Sequence, residues 1–133
     1  MNYKNLFSLK GKTALITGGA GYFGKHFVTG MLDAGADKVV NVEYPGVGVD
    51  FHEQLVKKYD IKRVALYEVD LYDEKATGIC YDKILKENKK IDVLVNNAFE
   101  FSPKTGFFLG RRETIKSATH EEFRRSFEAA IWW

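Results

Sequence analysis

Three regularly spaced glycines constrain the fold of this chain more than any other feature. Gly18, Gly21 and Gly24 follow an apolar segment, Lys12 to Ile16, that predicts a buried strand. A glycine turn between a strand and a helix lets the backbone bend sharply and approach a diphosphate, whose charge then faces the helix N-terminus. The spacing therefore predicts a dinucleotide-binding turn, although glycine also marks ordinary turns.

Strand and helix patterns alternate along the rest of the chain. After the turn, apolar residues recur at helical spacing at Phe23, Phe27, Met31 and Ala34. The segments that follow are strand Lys38 to Glu43, helix Asp50 to Tyr59, strand Arg63 to Val69, helix Asp73 to Glu87 and strand Ile91 to Val95. The last strand is apolar at consecutive positions, which predicts burial on both faces.

This alternation predicts an α/β fold of the Rossmann type. We expect a doubly wound parallel sheet of about four strands in the order 3-2-1-4, with flanking helices, that stops before its second half. Residues 1–133 are expected to form a single, incomplete NAD(P)-binding domain.

An acidic residue ends the second predicted strand. Glu43 lies 19 positions after Gly24, close to the spacing at which such folds place a carboxylate against the adenosine ribose. A solvated strand end is the alternative interpretation. The agreement between the glycine turn and the acid favours ribose binding.

Composition excludes several classes of function. A net charge of +2 and the short basic pair Arg111 and Arg112 argue against a nucleic-acid partner. We expect no membrane association, because the chain has neither an N-terminal apolar stretch typical of a signal peptide nor an apolar run of about 18 residues. The single cysteine, Cys80, lies at helical spacing with core positions. These features predict a cytoplasmic protein.

Two pairs of residues predict helix starts. Asp50 with Glu53, and Thr119 with Glu122, place a capping side chain three residues ahead of an acid. The apolar stripe after Thr119 runs through Phe123, Phe127, Ala130 and Ile131. The chain stops at Trp133 while this stripe continues, which we interpret as truncation, with a docked terminal anchor as the alternative.

A loop of about twenty residues, 99–118, separates the fourth predicted strand from the last helix. It leaves the carboxyl end of a sheet strand, where open α/β folds bind ligands. A loop that covers substrate and a disordered connection are both compatible with its length.

Three motifs in this order resemble the short-chain dehydrogenases and reductases. Thr17-Gly-Gly-Ala-Gly-Tyr-Phe-Gly24 is similar to the family's cofactor turn, Asp70-Leu71 to the pair that borders the adenine, and Asp92-Val-Leu-Val-Asn-Asn-Ala98 to its Asn-Asn-Ala motif. With Glu43, the resemblance implies these cofactor-binding residues: Thr17, Gly18, Gly21, Tyr22, Phe23, Gly24, Glu43, Asp70, Leu71, Asn96, Asn97 and Ala98.

The side chains themselves leave some of these roles open. Asp70 can accept a hydrogen bond from an adenine amino group while Leu71 adds apolar contact, but helix capping by Asp70 is a competing role. Asn96 and Asn97 can satisfy backbone groups of a neighbouring strand and also face a ribose. We expect structural and binding roles to coexist there.

The glycine spacing and the asparagine motif resemble different branches of the family. Tyr22 stands where the ordinary branch has glycine, which resembles the extended branch that modifies nucleotide sugars, whereas Asn96-Asn97-Ala98 resembles the ordinary branch. We expect NAD to be preferred over NADP. Glu43 would repel a 2′-phosphate, and no arginine or lysine precedes Gly24 in the turn to attract one.

The catalytic residues that the resemblance implies are missing. The family uses a serine, a tyrosine and a lysine four positions after the tyrosine, and no Tyr-x-x-x-Lys occurs in this chain. Tyr59 precedes Arg63 at that distance, but a guanidinium does not replace the required ammonium. Counting from Thr119 aligns the family's supporting asparagine with Ala130. We therefore assign no catalytic residue and no metal ligand.

Two hypotheses about function follow. The first is an NAD-dependent oxidoreductase of this family, which transfers hydride between the nicotinamide and a hydroxyl or carbonyl substrate, present here as the cofactor-binding part. The second is a non-catalytic NAD-binding or assembly module. The expected partners are a small-molecule substrate of the parent protein and a second copy, either in a homo-oligomer or paired through the sheet edge exposed at the fourth strand.

Overall fold

The protein is described by a computed structural model that covers residues 6–105 and 118–132. The chain divides into two compact units, Met1–Asn97 and Ala98–Trp133. The first unit contains the sheet and most of the predicted cofactor site. The single-domain prediction for residues 1–133 stays a prediction.

The first unit is a four-stranded parallel sheet with three α-helices. Its elements in chain order are β1 (Thr13–Thr17), α1 (Gly24–Asp33), β2 (Lys38–Glu43), α2 (Val49–Tyr59), a 3-10 turn (Ile61–Arg63), β3 (Val64–Glu68), α3 (Glu74–Asn88) and β4 (Val93–Asn96). The strand order is β3-β2-β1-β4. The predicted Rossmann-type sheet and its strand order are confirmed.

The register brings the ends of three strands to one edge of the sheet. Thr17 of β1 is paired with Val42 of β2 on one side and with Asn96 of β4 on the other. Glu43 follows Val42 directly and ends β2. Because parallel strands present their carboxyl ends at the same edge, the glycine turn, Glu43 and Asn96 lie around one crevice.

The core consists of two apolar layers, one on each face of the sheet. The first layer includes the buried faces of α1 and α2: Ala14, Ile16, Val28, Leu32, Ala36, Val39, Leu55 and Val64. The second includes the buried face of α3: Leu15, Val40, Val42, Tyr67, Val69 and Ile84. β1 and β2 contribute to both layers, as expected for central strands of a parallel sheet.

The helix after the glycine turn is confirmed, but the apolar residues that indicated it do not form its buried face. Gly24, Val28 and Leu32 are buried, whereas Phe23 and Phe27 are 67% and 48% exposed. Gly24 packs against the backbone of the turn, and this contact determines which face of α1 is turned towards the sheet. The residues at spacings of four from it therefore face the sheet.

The start of α2 also differs from the prediction. Its N-cap is Gly48, with φ of 85°, and no side chain caps the helix. Asp50 lies within the first turn, where its charge still complements the helix dipole. Gly48 is required because this φ is one that other residues rarely adopt.

The prediction that the fourth strand is buried on both faces is wrong for β4. Leu94 is 61% exposed although it is paired with Leu15, which is 4% exposed. Ile84 of α3 belongs to the same layer as Leu15. Within the described residues, α3 covers the central strands on this face and leaves Leu94 uncovered.

The second unit contains a 3-10 turn (Pro103–Thr105), helix α4 (His120–Phe127) and a π-helical segment (Glu128–Trp132). The predicted cap at Thr119 is confirmed as a full capping box with Glu122. Phe123 and Phe127 are more than half exposed, with ring centroids 5.1 Å apart. Most of the predicted long loop, including Arg111 and Arg112, lies outside the described residues, as does Trp133.

Two kinds of feature are absent from residues 6–105 and 118–132. No helix in these ranges has the length and apolar character needed to cross a membrane. The same ranges contain no group of three or more His, Cys, Asp or Glu side chains arranged to hold a metal ion.

Candidate functional site

The glycine turn is a tightly closed backbone loop between β1 and α1. Gly18 has φ of 67°, a conformation in which a side chain would be strained. A Cβ on Gly24 would lie 2.1 Å from the Gly18 carbonyl oxygen and 2.6 Å from the Gly19 Cα. Gly24 therefore allows the start of α1 to contact the turn directly, and the turn lies between a strand and a helix, as predicted from the spacing.

The backbone amides of the turn fall into two groups. Four consecutive N–H groups are used within the protein: Gly18 donates to the Val42 carbonyl, Gly19 to Asn41 Oδ1, Ala20 to Glu43 Oε1 and Gly21 to the Gly18 carbonyl. The next three, of Tyr22, Phe23 and Gly24, donate to no group in the described part of the chain. They form the positive N-terminal end of α1, where an anion binds most favourably.

Tyr22 occupies its position without backbone strain. Asp60 and Lys89 are the non-glycine residues with positive φ in the described ranges, so the conformation of Tyr22 does not require glycine. The Tyr22 side chain is 83% exposed, and its ring meets those of Phe23 and His26 edge-on at 5.2 Å and 6.3 Å. An aromatic cluster thus flanks the three available amides.

Glu43 is buried against the turn. It is 6% exposed, and its carboxylate accepts a hydrogen bond from the Ala20 N–H. Burial raises the pKa of Glu43, while the Ala20 N–H, the Asn41 side chain and the Lys25 ammonium oppose the rise. Glu43 is therefore not a solvated strand end, the alternative considered from the sequence.

The raised pKa of Glu43 predicts a pH-dependent stability. The group stabilises the fold fully below its ordinary pKa of 4.5, and this contribution is lost as pH rises through the raised value. We expect Glu43→Gln, which keeps an acceptor for Ala20, to gain stability relative to the wild type as pH rises above about 4.5. Urea unfolding of both proteins from pH 4 to 7 measures the difference, and a constant difference would contradict the assignment.

Lys25 is a residue of the site that sequence reasoning missed. It follows Gly24 directly, and its ammonium favours the ionised form of Glu43. The Lys25 Nζ lies 5.5 Å from the centroid of the Phe51 ring on α2. The glycine turn itself carries no cation before Gly24, whereas α1 brings this later side chain close enough to influence Glu43 at the end of β2.

Asp70 and Leu71 follow β3 in a tight turn. Asp70 Oδ1 accepts from the Tyr72 N–H at 3.0 Å, and the N-cap of α3 is Asp73, which accepts from Ala76 at 2.9 Å. The capping role considered for Asp70 thus belongs to Asp73. Leu71 packs against the second core layer, and its binding role stays a prediction.

An open groove of about 850 Å³ adjoins this turn. Its lining residues are Asp70, Tyr72, Asp73, Glu74, Lys75 and Gly78. Asp70 thus borders open space next to the carboxyl end of β3, where a bound group can reach it.

The two asparagines after β4 have different environments. The Asn97 Nδ2 donates to the Thr17 carbonyl at 3.1 Å and to the Gly18 carbonyl at 2.8 Å, and the Asn97 N–H donates to Thr17 Oγ1 at 3.2 Å. Asn96 is exposed at the sheet edge. The structural role expected of the pair therefore belongs to Asn97, and Asn96 is the one accessible to a ligand. Ala98 begins the second unit and is half-buried.

The Tyr59 and Arg63 pair has structural partners. The Tyr59 hydroxyl donates to Asp33 at 2.6 Å, and the Arg63 guanidinium donates to the carbonyls of Leu32 and Ala36 at 2.9 Å and 2.7 Å. These contacts support the exclusion of this pair from catalysis. Ala130 is exposed in the π-helical segment.

Comparison with known proteins supports the resemblance. The short chain dehydrogenase family model matches residues 12–131. General stress protein 39 of Bacillus subtilis (strain 168) is 32% identical over 131 residues, which are 98% of this chain and 43% of that protein. The 15-hydroxyprostaglandin dehydrogenase (NAD(+)) of Rattus norvegicus is 32% identical over 91 residues, covering 68% of this chain and 34% of that protein.

A solved structure supports the fold independently. L-sorbose reductase from Gluconobacter frateurii, complexed with NADPH and L-sorbose, superposes with a TM-score of 0.76 at 24% identity. The match covers 95% of this chain and 44% of that chain. This chain thus spans less than half the length of the relatives named here, and it belongs to the short-chain dehydrogenase family.

Proposed function

We propose that this chain is the cofactor-binding part of an NAD-dependent oxidoreductase that transfers hydride between the nicotinamide and a hydroxyl or carbonyl substrate. The observation that carries the proposal is the set of available amides at Tyr22, Phe23 and Gly24. The close packing of Gly24 on the backbone of Gly18 and Gly19 holds these amides at the N-terminus of α1, where a diphosphate would bind. Three adjacent donors at this position fit the diphosphate of a dinucleotide.

The other predicted residues complete this proposed site. Glu43 would accept from the adenosine ribose through the carboxylate oxygen that Ala20 does not use. Asp70 and Leu71 would border the adenine, and Asn96 would face the ribose of the nicotinamide half. Thr17, Gly18 and Gly21 shape the turn, and Ala98 is carried over from the family motif.

The proposal includes a preference for NAD over NADP. A 2′-phosphate would place negative charge beside the Glu43 carboxylate, which is already desolvated. Lys25 opposes this effect because its ammonium lies close enough to influence Glu43. Both cofactors occur among the similar proteins, which include a dehydrogenase named for NAD(+) and a reductase complexed with NADPH.

Titration of NAD, NADP and ADP into the purified chain tests the proposal. We expect NAD to bind at least about tenfold more tightly than NADP, and Glu43→Gln to bring the two affinities close together. Calorimetry measures each affinity. Glu68→Gln is the matched control, because Glu68 is paired with Glu43 across β2 and β3 but is exposed. Tighter binding of NADP than of NAD by the wild type would overturn the preference.

Chemistry in the parent protein would come from the nicotinamide, which exchanges hydride with a substrate carbon. The residues of this chain bind and orient the cofactor, and no Ser, Tyr and Lys constellation is assigned to them. We therefore expect no turnover by the 133-residue chain. Measurable NADH oxidation by the pure chain would contradict this part of the proposal.

A non-catalytic NAD-binding or assembly module is the second candidate. It is favoured by Ala130, which stands where the count from Thr119 places the family's supporting asparagine. The partners in our proposal are a small-molecule substrate of the parent protein and, at the β4 edge, a second copy.

The proposed location is the cytoplasm. The single cysteine, Cys80, is half-buried and supports this location.

A further inference from the structure

Asn41 is a buried polar residue in the middle of an apolar strand. It is 3% exposed, and its neighbours Val40 and Val42 are fully buried. Its Oδ1 accepts a hydrogen bond from the Gly19 N–H at 2.9 Å, across 22 positions of sequence. A buried amide in a core strand opposes folding unless it is hydrogen-bonded, and here the partner is the glycine turn.

Asn41 also determines how closely Gly19 approaches β2. A Cβ on Gly19 would lie 2.4 Å from Asn41 Oδ1 and 2.8 Å from Val28 Cγ2. The Gly19 backbone thus rests directly on the Asn41 side chain. On the other side of the turn, a Cβ on Gly24 would lie 2.6 Å from the Gly19 Cα.

These contacts form a continuous path from β2 to the N-terminus of α1. Asn41 supports Gly19, and the Gly19 backbone supports Gly24. Gly24 is the last of the three residues with available amides. If Gly19 shifts relative to β2, the backbone amides at the N-terminus of α1 therefore shift with it, and these are the amides that would face a diphosphate.

We propose that Asn41 is a positioning residue for the cofactor turn, which sets the affinity for a dinucleotide diphosphate without contacting it. The inference rests on the proposed function, because it assumes that the amides bind a diphosphate. Glu43 holds the adjacent Ala20 N–H, but it lies two residues nearer the edge of the sheet, at the proposed ribose position. Asn41 lies beneath the turn, where it accepts from the Gly19 N–H, and its side chain also favours the ionised form of Glu43.

Asn41→Leu tests the inference, because leucine has a similar size and no acceptor. We expect affinities for NAD and for ADP to fall together by about tenfold or more, since both ligands carry the diphosphate. Hydrogen exchange of the Gly19 amide should become at least about tenfold faster. Calorimetry measures the affinities, and NMR-detected exchange reports the amide directly.

Two further variants separate positioning from general stability. Val40→Ala removes buried apolar contact from the other face of β2 and should lower the melting temperature without changing either affinity by more than about twofold. Asn41→Ser is the gentler variant if the leucine protein does not fold, and it should weaken binding at least about threefold.

The outcomes distinguish this inference from the proposed function. If the wild type binds NAD and ADP and a folded Asn41 variant binds them equally well, the positioning role is wrong. If the wild type binds neither ligand, the proposed function fails and the inference fails with it. Unchanged exchange of the Gly19 amide in Asn41→Leu would also overturn the inference, whatever the affinities.

Discussion

Replacing Gly24 with alanine should abolish detectable binding of NAD and ADP and destabilise the fold by about 3 kcal/mol. The added Cβ would lie 2.1 Å from the Gly18 carbonyl oxygen and 2.6 Å from the Gly19 Cα, both backbone atoms that no rotamer change can move aside. The turn and α1 must therefore separate. Calorimetric titration and urea unfolding measure the two effects.

Gly30→Ala is the matched control for this substitution. Gly30 belongs to the same helix, and a Cβ there would meet no atom within 4 Å. Alanine is favoured over glycine in a helix, so we expect this variant to be about 0.5–1 kcal/mol more stable than the wild type and to bind NAD normally. Wild-type affinity in Gly24→Ala would show that the close contact at the turn is not required for binding.

The strand order was predictable because local patterns and general rules of chain topology agree. The predicted and observed bounds of β2 are the same, Lys38–Glu43, since the strand is short, mainly apolar and bounded by turn residues. The rotation of α1 about its own axis was harder to predict. The large apolar residues Phe23 and Phe27 indicated one face, but the contact of Gly24 with the turn selects another. A glycine carries no hydrophobic signal, although its packing decides the geometry.

The site was predictable where residue type alone determines a role and less so where a distant partner does. The glycine spacing predicted the sharp turn between β1 and α1. The partners of Glu43 and Asn41 depend on tertiary contacts with Ala20 and Gly19, which no local pattern reveals. Lys25 was missed for the same reason, since its influence on Glu43 arises only when α1 packs beside β2.

Asn97→Asp should be the most destabilising polar substitution near the site. The Asn97 Nδ2 donates to two carbonyl oxygens, those of Thr17 and Gly18, and an ionised carboxylate would place negative charge against both. Loss of two hydrogen bonds and the added repulsion should cost about 3 kcal/mol at pH 7. Because the turn begins at Gly18, we also expect weaker binding of NAD.

The loss of folding stability in Asn97→Asp should depend on pH in a defined direction. Repulsion raises the folded-state pKa of the new carboxyl, so the folded protein favours the protonated form, which can again donate to one carbonyl. The destabilisation should therefore be largest above this raised pKa and shrink as pH falls towards about 4, the unfolded-state value. Urea unfolding at several pH values measures it.

Asn96→Asp is the control for the loss of stability at pH 7 and for its dependence on pH. Asn96 is the exposed neighbour at the end of the same strand, so the same change in charge should alter the free energy of unfolding by no more than about 0.5 kcal/mol. If Asn97→Asp is no less stable than Asn96→Asp at pH 7, the Asn97 amide does not hold β4 to the glycine turn. If the loss of stability in Asn97→Asp instead grows as pH falls, repulsion by the carboxylate is excluded as its cause.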